Sequence, residues 1–151
     1  MINLNIKYPS TKEEVAIVRA TTTPDEHVLN PVITKSEIAS YQDLVRRVPA
    51  SDNVVEYAVR LVSATRPDSD SAPDFIQQSV DWGAGPRASQ YLVLGAKAKA
   101  VLDGRPSPNI SDVQSLALPI LRHRVLPNFN AEAEGLKVED ILNQLMDALG
   151  D

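Results

Sequence analysis

The stretch "WGAGPRAS", residues 82–89, gathers the residue types in this chain best suited to act on an anion. Gly83 and Gly85 loosen the backbone, Pro86 suits the first position of a helix, and Arg87 follows directly. An arginine in a first helical turn stands at the positive end of the peptide dipoles, where it costs roughly 0.3–1 kcal/mol. A phosphate would offset that cost, because unpaired backbone N–H groups and a guanidinium fork both suit its oxygens. Residue chemistry alone leaves a second account open, an exposed arginine lying over Trp82.

Other chemistry is sparse. There is no G-x-x-x-x-G-K-[ST] stretch to cradle phosphates and no G-x-S-x-G elbow. The two histidines, His27 and His123, are too few and too far apart for a zinc site, so no metal site is expected. Without cysteine, disulfides and thiolate metal centres are excluded. The 20 carboxylates fall mostly on polar faces and loops and read as solvated surface. Arg122, His123 and Arg124 cluster at a helix end, where the dipole favours cations; a contact with another subunit or domain is the other reading. Arg66 also ends a helix and reads as structural, and Trp82 reads as packing its loop against the core rather than stacking on an adenine. On these residues alone the chain is not a self-sufficient enzyme.

The elements that must position Arg87 follow from periodicity. Ile2, Leu4, Ile6 and Tyr8 alternate with Asn3, Asn5 and Lys7, the pattern of a half-buried strand, yet nothing downstream reads as its partner sheet. It is therefore expected to be an orphan from a sheet lying upstream, disordered, self-paired or docked near Val125 to Phe129, with fraying the expectation. A capping box at Ser10 and Glu13 opens a helix with Val15 and Val18 on one stripe, stopped by the run to Pro24. A second box, Thr34 and Glu37, opens a helix placing Ile38, Tyr41, Leu44, Val45 and Val48 on one face. A third starts near Ser51 or Asn53, with Val54, Ala58, Leu61, Val62 and Thr65 inward. Residues 67–81 hold four aspartates and no base and read as an acidic loop, pinned by Phe75, Ile76 and Val80. The helix opened by Pro86 buries Ala88, Tyr91, Leu92, Gly95, Ala98 and Leu102 and ends at Gly104 in a C′ position. Asn109, with Asp112, caps a fifth helix carrying Val113, Leu116, Ala117, Ile120 and Leu121, which Pro119 should kink or split. "VLPNFNAEAEG" reads as loop or a short extended piece, and a sixth helix, 138–149, packs Val138, Ile141, Leu142, Leu145 and Leu149.

Bulk properties agree. With 151 residues, 43% hydrophobic and 23% charged, the chain suffices for one domain. Only 5% of residues are aromatic, and the abundance of alanine, leucine and valine suits close-packed helices better than a sheet. A formal charge of −5 argues against a nucleic-acid backbone as the main partner. No apolar run approaches a membrane span and no leader is evident, so the cytoplasm is the expected compartment.

Several of these stretches together resemble the MoxR-type AAA+ ATPases. "WGAGPRAS" is similar to that family's sensor-2 segment, usually G-A-S-P-R-A, with Gly85 where serine is usual. "LNIKYPSTKEEVAIVRATT" resembles its last core strand and first lid helix, with Y-P-x-x-x-E-E at Tyr8, Pro9, Glu13 and Glu14. "VVEYAVRLVSATR" is similar to a lid helix ending in T-R, here Thr65-Arg66. "NISDVQSLALPILRHRV" resembles the D-V…V-L-R-H-R stretch at Asp112, Val113 and Leu121 to Arg124, with Asn109-Ile110 replacing the usual T-P. "AEAEGLKVEDILNQLMDAL" resembles the closing segment. The likeness covers nearly the whole chain, with its motifs in order.

The resemblance implies an all-α lid bundle (residues 10–151) preceded by a remnant core strand (residues 1–9). It implies that Arg87 is the sensor-2 arginine, reaching the γ-phosphate of ATP held with Mg by a missing α/β core that supplies the Walker motifs. Gly83, Gly85 and Pro86 would share that nucleotide contact. It further implies a hexameric ring, a chaperone-like motor, and von Willebrand A-domain proteins as partners. The rival reading is a stand-alone helical protein-interaction module without nucleotide; a helix-turn-helix DNA binder is more distant, given the negative charge.

Overall fold

The computed structural model describes residues 2–24 and 29–150. Among them are eight helices and two short strands, in the order α1 (Thr11–Thr22), α2 (Lys35–Arg47), α3 (Asp52–Ser63), α4 (Asp74–Ser79), β1 (Val80–Trp82), α5 (Pro86–Leu102), α6 (Ile110–Leu121), β2 (Leu126–Pro127), α7 (Phe129–Ala133) and α8 (Val138–Leu149). His27, weighed and set aside as a zinc ligand, lies outside the described residues.

The core is organised around α5. Ala88, Leu92, Ala96 and Ala100 recur every fourth residue and are all buried, giving a stripe of small side chains that lets neighbours approach closely. Helices α6 and α3 pack on it, and α8 closes the far side of α6. A Cβ on Gly95 would stand 2.8 Å from Leu116 Cδ1, so α6 leans directly on the α5 backbone. From α3 come Val54, Tyr57, Ala58, Leu61 and Val62, and from α8 Ile141, Leu142 and Leu145, both at helical spacing. Each fully buried leucine or isoleucine in this cluster contributes about 1.5–3 kcal/mol.

The helix signals in the sequence are realised. All three capping boxes form, with Ser10, Thr34 and Asn109 each accepting from the N–H three residues on. At the end of α5, Gly104 adopts φ 69°, its N–H donates to Val101 O, and Arg105 N–H reaches back to Ala100 O. This two-bond closure needs the left-handed conformation that glycine accepts without strain. Helix α6 continues through Pro119 rather than splitting there, with only Ile120 and Leu121 left beyond the proline.

Four expectations are corrected. The acidic 67–81 stretch is not all loop: it contains α4 and opens β1, and Ile76 and Val80 are buried as anchors. β1 pairs antiparallel with β2, a small sheet that three-residue strands are too short to announce by alternation. Leu102 is 86% exposed, because the chain turns away at Gly104. The 2–8 segment forms no strand, and Ile2, Leu4, Ile6 and Tyr8 are exposed; Asn3 N–H donates to Pro119 O at 2.7 Å, but no ladder is available.

Helices α1 and α2 have no buried residue of their own, although α2 rests on α5 and Val45 and Val48 turn inward. The remaining apolar faces, Val15, Ile17 and Val18 on α1 and Ile38, Tyr41 and Leu44 on α2, stay open to solvent. Periodicity marks Val15 and Val18 on α1 and the apolar face of α2 but carries no information on what covers them.

Candidate functional site

The site is built from the C-terminal end of α3 upward. Thr65, fully buried, donates its hydroxyl to Val62 O at 2.6 Å and accepts Ala84 N–H at 2.9 Å. The next residue, Arg66, donates Nε to Ala84 O at 2.8 Å. Both polar groups of one peptide residue are thus held by two consecutive side chains 18 and 19 positions away. Gly83 fits against this pair with no room to spare, since a Cβ there would lie 2.4 Å from Thr65 O and 2.6 Å from Arg66 Cα.

From Ala84 the chain turns outward into α5. Gly85 is the N-cap, provides no side-chain cap, and has nothing within 4 Å of where a Cβ would be. Pro86 takes the first helical position, where its missing N–H is of no consequence. Arg87 occupies the second helical position and is exposed. Among the described residues, neither its guanidinium nor its backbone N–H has a hydrogen-bond partner. No acidic residue occurs in the first turn of α5. The arrangement is therefore a cation and an open donor together at the positive end of a 17-residue helix.

Beside it lies an open groove of ≈ 440 Å³, lined by Arg66, Asp68, Ser69, Asp81, Trp82 and the Gly83–Pro86 backbone. Trp82 does not pack its loop against the core; it is 73% exposed on the rim. Its backbone belongs to β1, whose pairing is irregular between Val80 and Trp82, so the ring does not share the buried side of Val80.

Two other charge clusters serve the scaffold. Asp112 is nearly buried at the start of α6 and receives both terminal nitrogens of Arg105 at 2.7 and 2.8 Å, plus Asn109 N–H at 2.9 Å. The Arg105 guanidinium, helped by the Asn109 N–H, holds the Asp112 carboxyl below the usual carboxylate range. The sequence marked Asp112 as a cap partner but not as half of this bidentate pair, because Arg105 sits seven residues earlier across a turn. Arg122 Nε donates to Leu118 O, and Arg124 donates to Ile120 O while stacking 5.5 Å from the Tyr91 ring centre. These arginines close the carbonyl end of α6, the helix-end role read from their position. Burial and the neighbouring Arg124 push the His123 imidazole down.

Comparison with known proteins fits this geometry to a class. Residues 74–145, α4 through most of α8, match the AAA lid domain family. The chain is 33% identical over 151 residues to the uncharacterized protein YeaC of Bacillus subtilis, covering 99% of this chain and 44% of that one. It is 27% identical over 147 residues to the chaperone MoxR1 of Mycobacterium tuberculosis, covering 97% and 38%. A solved structure of a candidate ATPase from Cytophaga hutchinsonii superposes with a TM-score of 0.84 at 24% identity, covering 97% of this chain and 45% of that one. The fold is thus an AAA lid. Residues 74–145 match the AAA lid domain, the whole chain is similar to a protein named as a MoxR chaperone, and it spans less than half the length of the relatives it matches.

No group of three or more His, Cys, Asp or Glu side chains among the described residues is placed to hold a metal ion, and no described helix is long and apolar enough to cross a membrane.

Proposed function

We propose that the open N-terminus of α5 receives the terminal phosphate of ATP, with Arg87 as its guanidinium contact. The single observation carrying this reading is a cation placed where the helix field opposes it, with an unpaired N–H beside it and no carboxylate in that turn. Gly85 and Pro86 leave the approach unobstructed, and Gly83 fixes the turn from below. The remaining length of the relatives would hold the rest of the nucleotide and the Mg ion, for which the described residues offer no cluster of ligands. When water attacks the γ-phosphorus and the bond to the β-phosphate oxygen breaks, ADP leaves with the electron pair. Charge on the equatorial γ-oxygens then meets Arg87. Loss of that phosphate would release the lid, which is how occupancy becomes motion.

In the same reading the protein works in the cytoplasm as a ring of subunits, most simply a hexamer. It remodels or matures client proteins alongside von Willebrand A-domain partners. The exposed apolar faces of α1 and α2 are what a nucleotide-free interaction module would also present, so nucleotide binding by the full-length protein separates the two. The direct test is Arg87→Ala in the full-length protein. Removing one donor of this kind lowers turnover by about 10²–10³-fold. The melting temperature should change little, because the side chain is exposed. Wild-type turnover in that variant would overturn the assignment.

A further inference from the structure

We infer that the Thr65–Arg66 end of α3 is a latch that sets where Arg87 stands, so that Thr65 and Arg66 are positioning residues for the anion site. The inference rests on the reading of Arg87 given above. Its geometry is independent of that reading. Ala84 is the last residue before α5 whose polar groups are both tied to another element, its N–H to Thr65 Oγ1 and its C=O to Arg66 Nε. Thr65 Oγ1 spends its own proton on Val62 O, which turns a lone pair toward Ala84 and leaves the hydroxyl no rotational freedom. Gly83 is seated on the Thr65 carbonyl and the Arg66 backbone, so the loop cannot lift without vacating that contact. At Gly85 nothing lies within 4 Å of where a Cβ would stand. The turn leading into α5 is therefore tied to the bundle through Ala84, three residues before Arg87, while buried Ala88 seats the helix from the other side of Arg87.

Arg66 has a second attachment. Its carbonyl accepts Ser69 N–H at 3.0 Å, starting the turn that forms the opposite wall of the groove. Whatever shifts the acidic 67–73 segment is thus mechanically joined, through Arg66, to the peptide that carries Arg87. A misplacement of about 1 Å of a catalytic group costs about 10²-fold in rate, far more than the same displacement costs in binding.

The test is steady-state ATP hydrolysis by the full-length protein carrying Thr65→Val, Thr65→Ser, Arg66→Gln or Arg87→Ala, with melting curves to confirm folding. Thr65→Val keeps the side-chain shape but removes the acceptor for Ala84 N–H. It should lower kcat by about tenfold or more with KM within about threefold, and Thr65→Ser should restore most of kcat. Arg66→Gln should show the same split; it is half-buried and remains informative should Thr65→Val fail to fold. Adding Arg87→Ala to either should produce no further loss, because a latch acts only through the group it positions. Folded Thr65→Val or Arg66→Gln variants with wild-type kcat would overturn the latch, as would losses that multiply with that of Arg87→Ala. If Arg87→Ala alone has no effect, the Arg87 reading fails and the latch fails with it; if only the Arg87→Ala variant is impaired, the latch alone is wrong.

Discussion

Two glycines separated by a single residue should respond oppositely to the same added methyl group. In Gly83→Ala the new Cβ lies 2.4 Å from Thr65 O, 2.6 Å from Arg66 Cα and 2.7 Å from Arg66 N. Ordinary contact begins about 1 Å further out, and all three obstacles are backbone atoms that cannot rotate aside. The loop must lift, which stretches the Ala84 bonds to Thr65 and Arg66 as well. Overpacking of this kind costs about 1–3 kcal/mol. For a chain of this length each kcal/mol moves the melting temperature by about 2–4 °C, so a fall of roughly 2–12 °C is expected. In Gly85→Ala nothing lies within 4 Å, and φ is −84°, a value any residue adopts. Alanine is a poorer N-cap than glycine, but it also restricts the unfolded chain, and the two effects are each below about 1 kcal/mol. Thermal melts of both variants followed by circular dichroism check this directly. Equal midpoints for the two, or a Gly83→Ala variant as stable as wild type, would refute the packing argument.

The Arg105–Asp112 pair supplies a pH test. The Asp112 carboxyl is held below its ordinary value, so its contribution is present above about pH 4 and is lost as pH falls through the folded value. The stability difference between wild type and Asp112→Asn, from urea midpoints, should therefore be largest near neutrality and shrink below about pH 4; a difference constant down to acid pH would argue against the pair. Trp82 is the sole tryptophan and is 73% exposed, so the 151-residue chain should show a solvent-like emission maximum and efficient quenching by acrylamide. Blue-shifted, quencher-resistant emission would instead place the ring in a core.

Helix positions and caps were legible because they depend on neighbours three or four residues apart. Ser10–Glu13, Thr34–Glu37 and Asn109–Asp112 needed only local spacing, and Gly104 only its place after an apolar stripe. Arg87 was legible for a similar reason, since a cation after Gly-Pro at a helix start conflicts with the helix field whatever the tertiary fold. The α4 turn and the β1–β2 pair were not, because six- and three-residue elements complete too little of a period to be distinguished from a loop. Trp82 reads as packing its loop against the core, but the irregular pairing of β1 with β2 between Val80 and Trp82, set by residues more than 40 positions away, leaves it exposed. The Thr65–Ala84 contact was invisible for the same reason of range. Sequence placed Thr65 on the inner face of α3 and could not say that its hydroxyl would meet a backbone N–H 19 residues on.

A structure of the full-length protein bound to a non-hydrolysable ATP analogue tests the central claim most directly. The account predicts the Arg87 guanidinium within hydrogen-bonding distance of a terminal phosphate oxygen, with Ala84 still held by Thr65 and Arg66. An analogue fully occupied at its site while Arg87 points into solvent would contradict it.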